Sequence, residues 1–274
     1  MIRLTSLLLG LLISGVVLAK PCDGRWNVKV ENTNVSYVGE KARIPIFIQT
    51  ARTIRECNPQ GIYIRSTVNS GVSLQSSNAL LSGWISDSTG GRTGIKTNQG
   101  VIYPLSLGEN TKLWLEVPNA LSGSPGTYSS QLTFSIVGID GPKPIAGRAQ
   151  LRVAPYVELK VNGQGSKKTV VNFGRLKTNQ IKLLNLHFRS NSNVGITFDA
   201  EHEKLQHNKI STAYVPYSLY LNNKKLNFKT TVLLSDLGRG KTTNKQLKIK
   251  IGDTSNSHAG SYSETITITA SARP

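Results

Sequence analysis

The sequence predicts an all-β protein made of two tandem antiparallel β-sandwich domains, and three observations predict it. Apolar and polar residues alternate with a period of two along nearly every patterned segment, helix signals are almost absent, and one half of the chain repeats the other at a constant offset. Ile44, Ile46 and Ile48, then Leu113, Leu115 and Val117, then Leu247, Ile249 and Ile251 each set three apolar side chains on one face of a strand. Gly, Asn, Ser and Pro flank these runs, which is the composition of turns between short strands and not of crossovers in a parallel sheet.

Residues 1–19 carry the pattern of an export signal. Arg3 supplies the positive end, Leu7 to Leu18 the apolar run, and Val17 with Ala19 the small residues of a cleavage site. The apolar run is interrupted by Gly10, Ser14 and Gly15 and is too short to span a bilayer. Ala19, Lys20 and Pro21 ahead of Cys22 do not form a lipid-attachment pattern, and no later segment is apolar enough to cross a membrane. The expected product is an exported, soluble chain starting near Lys20, long enough for two cores of sandwich size.

Cys22 and Cys57 are the two cysteines. In an oxidising compartment such a pair is expected as a disulfide, which closes a loop and stabilises the fold by roughly 4 kcal/mol in the chain-entropy model. Metal binding or thiol chemistry would need ligands or a base nearby, and the sequence offers none.

The formal net charge is +18. An exported β-protein with no recognition helix and no aromatic RNA-binding signature excludes nucleic acid as the expected partner. Two readings of the charge remain open: a solvated surface, or attraction to anionic cell surfaces, glycans or abiotic material.

The internal repeat orders the rest. Gly126, Tyr128, Ser129 and Thr133 match Gly260, Tyr262, Ser263 and Thr267 at an offset of 134. At the same offset Leu113, Leu115 and Val117 fall on Leu247, Ile249 and Ile251, and Gly61 with Ile62 on Gly195 with Ile196. Three segments in one register indicate duplication of a domain. The boundary is placed near Ala154 and Pro155, giving domains over 20–153 and 154–274, the second the more basic.

The two copies differ at their ends. After its Gly-x-Tyr-Ser strand the first copy turns through Gly138 to Gly147 into a further alternating stretch, with Ala149, Leu151 and Val153 on one face. In the second copy only Ser271 to Pro274 follow the strand centred on Ile266 and Ile268, so it is expected to lack its closing strand. The alternatives are a different topology without a gap, or a legitimate edge strand. A gap leaves an apolar groove beside unpaired backbone groups, which a strand from another subunit can fill. Tyr262, Ile266 and Ile268 are expected to line it, with Val171 and Phe173 opposite; in a complete sandwich the same residues would simply be core. Only Lys20 and Pro21 precede Cys22 in the expected mature chain, so it is expected to accept a strand, to have none to give, and to end a polymer.

Three segments of the second domain carry a family resemblance: Val171-Asn172-Phe173-Gly174-Arg175-Leu176, Val215-Pro216-Tyr217-Ser218-Leu219-Tyr220-Leu221, and Ile251-Gly252-Asp253 followed by Ala259 to Ile268. In order and across the whole domain they resemble the spore coat protein U domain of archaic chaperone-usher pilus subunits. The first domain matches mainly through Gly126 to Ile136, and the second has no cysteine pair of its own. The resemblance implies an immunoglobulin-like sandwich in each half, the C-terminal one an incomplete pilin domain. It also implies capture by a periplasmic pilus chaperone and assembly through an outer-membrane usher, with a neighbouring pilin subunit donating the missing strand. In two-domain members of the group the C-terminal pilin domain joins the fibre. The N-terminal domain is the adhesive tip at the cell surface and supports attachment and biofilm formation.

Other chemistry finds little purchase. In Ala79 to Ile85, Leu80, Leu81, Trp84 and Ile85 form a contact patch if exposed and a core strand if buried; burial is the usual state of such residues. His187, His202, His207 and His258 lack metal-motif spacing, and Glu201, His202 and Glu203 read as a solvated turn. The run Thr89 to Gly94 lacks the Lys and Ser/Thr of a phosphate loop. No nucleophile or acid-base pair stands in a recognised context, so neither catalysis nor a cofactor is expected. The competing functions are a minor or adaptor pilin, which needs a donor segment, a periplasmic pilus chaperone, which donates a strand from its first domain, and an exported glycan-binding lectin or glycosidase.

Overall fold

The computed structural model describes residues 22, 24–66, 72–89, 91, 94–97, 100–106, 108–165 and 168–273. The expected export signal, with Lys20 and Pro21, lies outside the described residues, as do Gly90, Arg92 and Thr93 of the Gly-rich run.

In the first half, β1 (Trp26–Val30), β2 (Ser36–Val38) and β3 (Lys41–Thr50) are followed by a short helix, α1 (Arg52–Glu56). Then come β4 (Gly61–Ser66), β5 (Val72–Gln75), β6 (Leu80–Ser86), β7 (Ile95–Thr97), β8 (Gly100–Tyr103), β9 (Asn110–Val117), β10 (Gly126–Val137) and β11 (Ile145–Val153). One layer runs β1-β3-β9-β6, with β2 on β3; the other is built around β10, which pairs with β4, β5 and β11. Within β6, Leu80 to Gly83 pair with β5 and Trp84 to Ser86 with β9, so this strand crosses between the layers.

In the second half, β12 (Val157–Val161), β13 (Ile181–Ser190), β14 (Asn193–Ala200), β15 (Leu205–His207), β16 (Tyr214–Val215) and β17 (Tyr217–Leu221) come first. They are followed by β18 (Lys224–Lys225), β19 (Thr231–Leu234), β20 (Thr242–Ile251), β21 (Tyr262–Ser263) and β22 (Ile266–Arg273). One layer runs β12-β13-β20-β17-β18; β19-β14-β22 and β16-β15-β21 make the other. Every ladder in both halves is antiparallel.

The alternating residues point where the period of two puts them. Ile44, Ile46, Ile48, Leu113, Leu115 and Val117 are at most 2% exposed, and Leu247, Ile249 and Ile251 are buried in a second cluster. Each such side chain contributes about 2 kcal/mol by leaving water. The repeat extends to strand pairing. Leu132↔Ser66 and Ile136↔Ile62 become Ile266↔Ala200 and Ala270↔Ile196, while Trp84↔Glu116 and Ile85↔Leu115 become Ser218↔Lys250 and Leu219↔Ile249. Pro216, between β16 and β17, stands where the second copy makes the crossing that β6 makes in the first.

The halves meet through polar contacts. Asn191, fully buried, donates from Nδ2 to the Leu121 and Ala154 carbonyls at 3.1 and 3.0 Å, and its Oδ1 accepts from the Tyr156 N–H at 3.0 Å. Arg189 pairs with Glu40, and Arg239 donates to Ser124 Oγ at 2.6 Å.

Within the first sandwich Glu116, 1% exposed, sits on the β6–β9 pairing. It receives Lys41 Nζ at 2.7 Å, Ser86 Oγ at 3.0 Å and Arg43 Nη2 at 3.1 Å. Burial pushes its carboxyl up, but the hydrogen bonds from Lys41 and Ser86 and the charges of Lys41 and Arg43 outweigh that and hold it below the usual range. A carboxylate lowered in this way stabilises fully above its unfolded pKa, and that contribution is lost as pH falls through the folded value. Glu116→Gln is therefore expected to cost about 3 kcal/mol at neutral pH. The gap in melting temperature between variant and parent should close as the buffer is taken below the ordinary glutamate range.

Candidate functional site

Gly126 and Gly260 open equivalent strands at φ +149° and +150°, a region where side chains are strained, which accounts for glycine in both copies. Two residues on, Tyr128 donates its hydroxyl to the Ser124 carbonyl and Tyr262 to the His258 carbonyl, each at 2.8 Å. The same bond at the same offset, from tyrosine to the backbone four residues upstream, is the corner found in immunoglobulin-like sandwiches.

From this shared start the copies part. Along Gly126 to Phe134, β10 pairs residue by residue with β11, while Leu132 to Val137 pair with β4 on the other side. The equivalent β21 and β22 pair with β15 and β14 on one side. Among the described residues no strand pairs with their other edge.

Burial follows the pairing. Tyr128, Leu132 and Phe134 are fully buried, covered by the strand that carries Ala149, Leu151 and Val153, themselves at most 2% exposed. Tyr262, Ile266 and Ile268 are only half-buried. Val171 and Phe173, on the irregular segment between β12 and β13, are half-buried against the same cluster, and the Phe173 carbonyl accepts from Gln180 Nε2 at 2.9 Å. The structure thus brings all five groove residues expected from sequence to one apolar cluster and leaves each partly open. It adds Val157, Leu159 and Val161 of β12, also half-buried. In the first copy β1 lies beside β11; in the second β12 approaches β22 directly without pairing. The alternation Val157-x-Leu159-x-Val161 was the signal for these residues.

Glu264 interrupts the strand between β21 and β22. Its nearly buried carboxylate accepts backbone N–H bonds from His202, Lys204 and Thr265 at 3.1, 3.1 and 2.7 Å and pins the 201–204 turn to the strand. Glu201, His202 and Glu264 offer ligand atoms within 4.8 Å of one another, but the Glu264 oxygens are already engaged by those amides. Tyr217, nearby in the core, buries a hydroxyl with no hydrogen-bond partner; burial and the charges of Glu264 and Glu203 push its pKa up.

Leu80, Leu81, Trp84 and Ile85 do not form one contact surface. Leu81 and Ile85 are 9% and 2% exposed and belong to the core, while Leu80 is exposed and Trp84 half-buried, as strand alternation requires. Cys22 and Cys57 are bonded, with Cα atoms 6.0 Å apart. Among the described residues no helix is long and apolar enough to cross a membrane.

No family model matches the sequence, and no curated protein matches it significantly. Several solved structures are similar in fold. One is a chain of the pre-assembly complex between the CsuC chaperone and the CsuE tip adhesion subunit of archaic chaperone-usher Csu pili of Acinetobacter baumannii. It is 14% identical, covers 90% of this chain and 92% of that one, and has a TM-score of 0.43. A mutant of the CFA/I adhesin CfaE of enterotoxigenic E. coli is 10% identical over 93% of this chain and 79% of its own, with a TM-score of 0.38. A chain of the AAF fimbriae of enteroaggregative E. coli, described for fibronectin binding and biofilm formation, is 14% identical over 47% of this chain and 98% of its own, with a TM-score of 0.30.

Two measurements check the site. Amides of Tyr262 to Ile268 are expected to exchange with solvent about 100-fold faster or more than those of Tyr128 to Phe134, because one edge of the strand opens to water. Equal protection would mean that the edge is covered. Tyr217→Phe removes a buried hydroxyl that makes no bond, and is expected to leave the melting temperature unchanged or to raise it, by up to about 1 kcal/mol of stability.

Proposed function

We propose that this chain is an adhesin subunit of a chaperone-usher pilus. Residues 154–274 act as its pilin domain, and residues 20–153 as the domain that meets the target surface. The observation that carries the proposal is the open edge of β21 and β22, at the position that β11 fills in the first copy. An edge of this kind, flanked by half-buried Tyr262, Ile266 and Ile268, both invites and requires a partner strand. The resemblance of the second copy to the spore coat protein U domain names the system in which such edges are used.

In this reading a periplasmic chaperone covers the edge first. An outer-membrane usher then admits the subunit, and a neighbouring pilin replaces the chaperone with a strand of its own. The first sandwich has the equivalent strand covered by its own β11 and stands outside that exchange, at the tip of the fibre, where attachment and biofilm formation begin. The work of the chain is binding and assembly, and no step of it calls for catalysis.

The test uses the molecule's own closing strand. Residues 141–153, the rest of the turn and β11, are appended after Pro274 of the full chain, continuing the second copy as the first continues. A matched control shifts the appended strand by one residue, which turns its apolar face outward. The in-register extension is expected to raise the melting temperature of the second sandwich by about 10 °C or more, since several half-buried side chains become covered. It should also abolish the need for a co-expressed chaperone, while the shifted control does neither. If the unextended chain is as stable and as monomeric as the extended one, the proposal falls.

A further inference from the structure

The first sandwich carries an open cleft of about 710 Å3 whose walls come from four segments: the start of β1, the end of β3, Glu109 just before β9, and the turn before β11. Its volume is in the range of small-molecule sites, about 300–1,000 Å3. Its place in the molecule is set by β3 and β11. Glu40, just before β3, pairs with Arg189 of the second sandwich, whereas Thr50, at the end of β3, lines the cleft. Ten residues of strand separate the two by about 30 Å. β11 likewise begins at the cleft, with Ile145, and ends at Val153 beside the joint. The cleft therefore occupies the pole farthest from the second sandwich.

Its walls are stiff. The Cys22–Cys57 disulfide ties the segment before Gly24 to the end of α1, directly after the Thr50–Ala51 wall. Pro142 and Pro144 restrict the opposite turn, which is tied in turn by the bond from Trp26 Nε1 to the Lys143 carbonyl at 3.1 Å. A site with fixed walls loses little freedom on binding.

The chemistry of the lining is specific. Glu109 is engaged by Arg55 at 3.5 Å. Arg25 and Lys143, both exposed, make no ion pair among the described residues, so the cleft presents two cations beside the Arg55-engaged Glu109. Asn27 and Gln49 stand directly opposite each other on β1 and β3, with both side-chain amides exposed and unbonded among the described residues. Paired amides read hydroxyl groups as donor and acceptor, and the indole of Trp26 adds an apolar surface. Two cations suit one or two acidic groups, not the phosphate tract of a nucleic acid.

We infer that this cleft binds a saccharide carrying an acidic group, a carboxylate or a sulfate, with Arg25 and Lys143 on the anion and Asn27 and Gln49 on the hydroxyls. This names a ligand class for the domain that the proposed function turns toward the target, but it stands on the cleft alone and does not depend on how the second sandwich is completed.

The experiment titrates 3′-sialyllactose, a sulfated heparin disaccharide and lactose into the full chain, read by tryptophan fluorescence and heat. At least one acidic sugar is expected to bind tenfold or more tightly than lactose. Preference for sialyllactose identifies the group as a carboxylate, and preference for the heparin disaccharide as a sulfate. The double variant Arg25→Ala/Lys143→Ala is expected to lose that affinity by tenfold or more with an unchanged melting temperature, because both side chains are exposed. Asn27→Ala should weaken all binding without changing the preference for acid. The inference is overturned if lactose binds as well as the acidic sugars, if neither acidic sugar binds, or if the double variant binds like its parent. Binding by a chain that needs no added strand would keep this inference and remove the pilus reading; strand-dependent folding without binding would do the reverse.

Discussion

A β-strand carries unsatisfied backbone donors and acceptors along both edges, and a sandwich stays stable only when each edge in contact with its core has a partner. In the first half of this chain β10 has partners on both sides, β11 along Gly126 to Phe134 on one and β4 with β5 on the other. In the second half the duplicate strand has one, among the described residues. The rest of the structure follows from this difference. Where β11 lies, Tyr128, Leu132 and Phe134 are sealed; where no strand pairs the edge among the described residues, Tyr262, Ile266 and Ile268 are half-buried and β12 lies beside β22.

The two copies share so much local structure that the difference is hard to ascribe to strand chemistry. The same glycine opens the strand at nearly the same φ, the same tyrosine turns back to the carbonyl four residues upstream, and nine ladder pairs recur at one offset. The shared corner and the recurring ladders give this part of both sandwiches the same frame. What differs is whether a strand covers the second edge, which is a question of covering the core and not of propensity.

Asn191 and its neighbours give the molecule direction. A fully buried amide that spends both donors and its acceptor on carbonyls and an N–H from both sides of the linker holds the sandwiches end to end. Because β3 and β11 both run from that joint to the opposite pole, the cleft by Trp26 is as far as the first sandwich allows from the open edge of the second. The cleft and the joint are thereby separated along one axis.

The strand pattern, the repeat and the alternation of Tyr262, Ile266 and Ile268 were legible in the sequence because each depends on short-range pattern: Ile44, Ile46 and Ile48 alternate whatever they pack against. Leu80, Leu81, Trp84 and Ile85 showed the limit of that reading. Composition marks all four as apolar, but only alternation within a strand that crosses between layers sends Leu81 and Ile85 inward and Leu80 outward. Glu264 was invisible in sequence because two of its three amide donors, His202 and Lys204, lie on a turn 62 and 60 residues away in the chain. The cleft was equally hidden, since Arg25, Gln49 and Lys143 meet only after β1, β3 and β11 are laid side by side. By itself the sequence determined the alternation, the repeat and the pair of cysteines, all properties of neighbours along the chain. Only the tertiary structure decided which distant polar groups share a cleft and which carboxylate pins a turn to a strand, because both are set by long-range contacts whose partners no local pattern names.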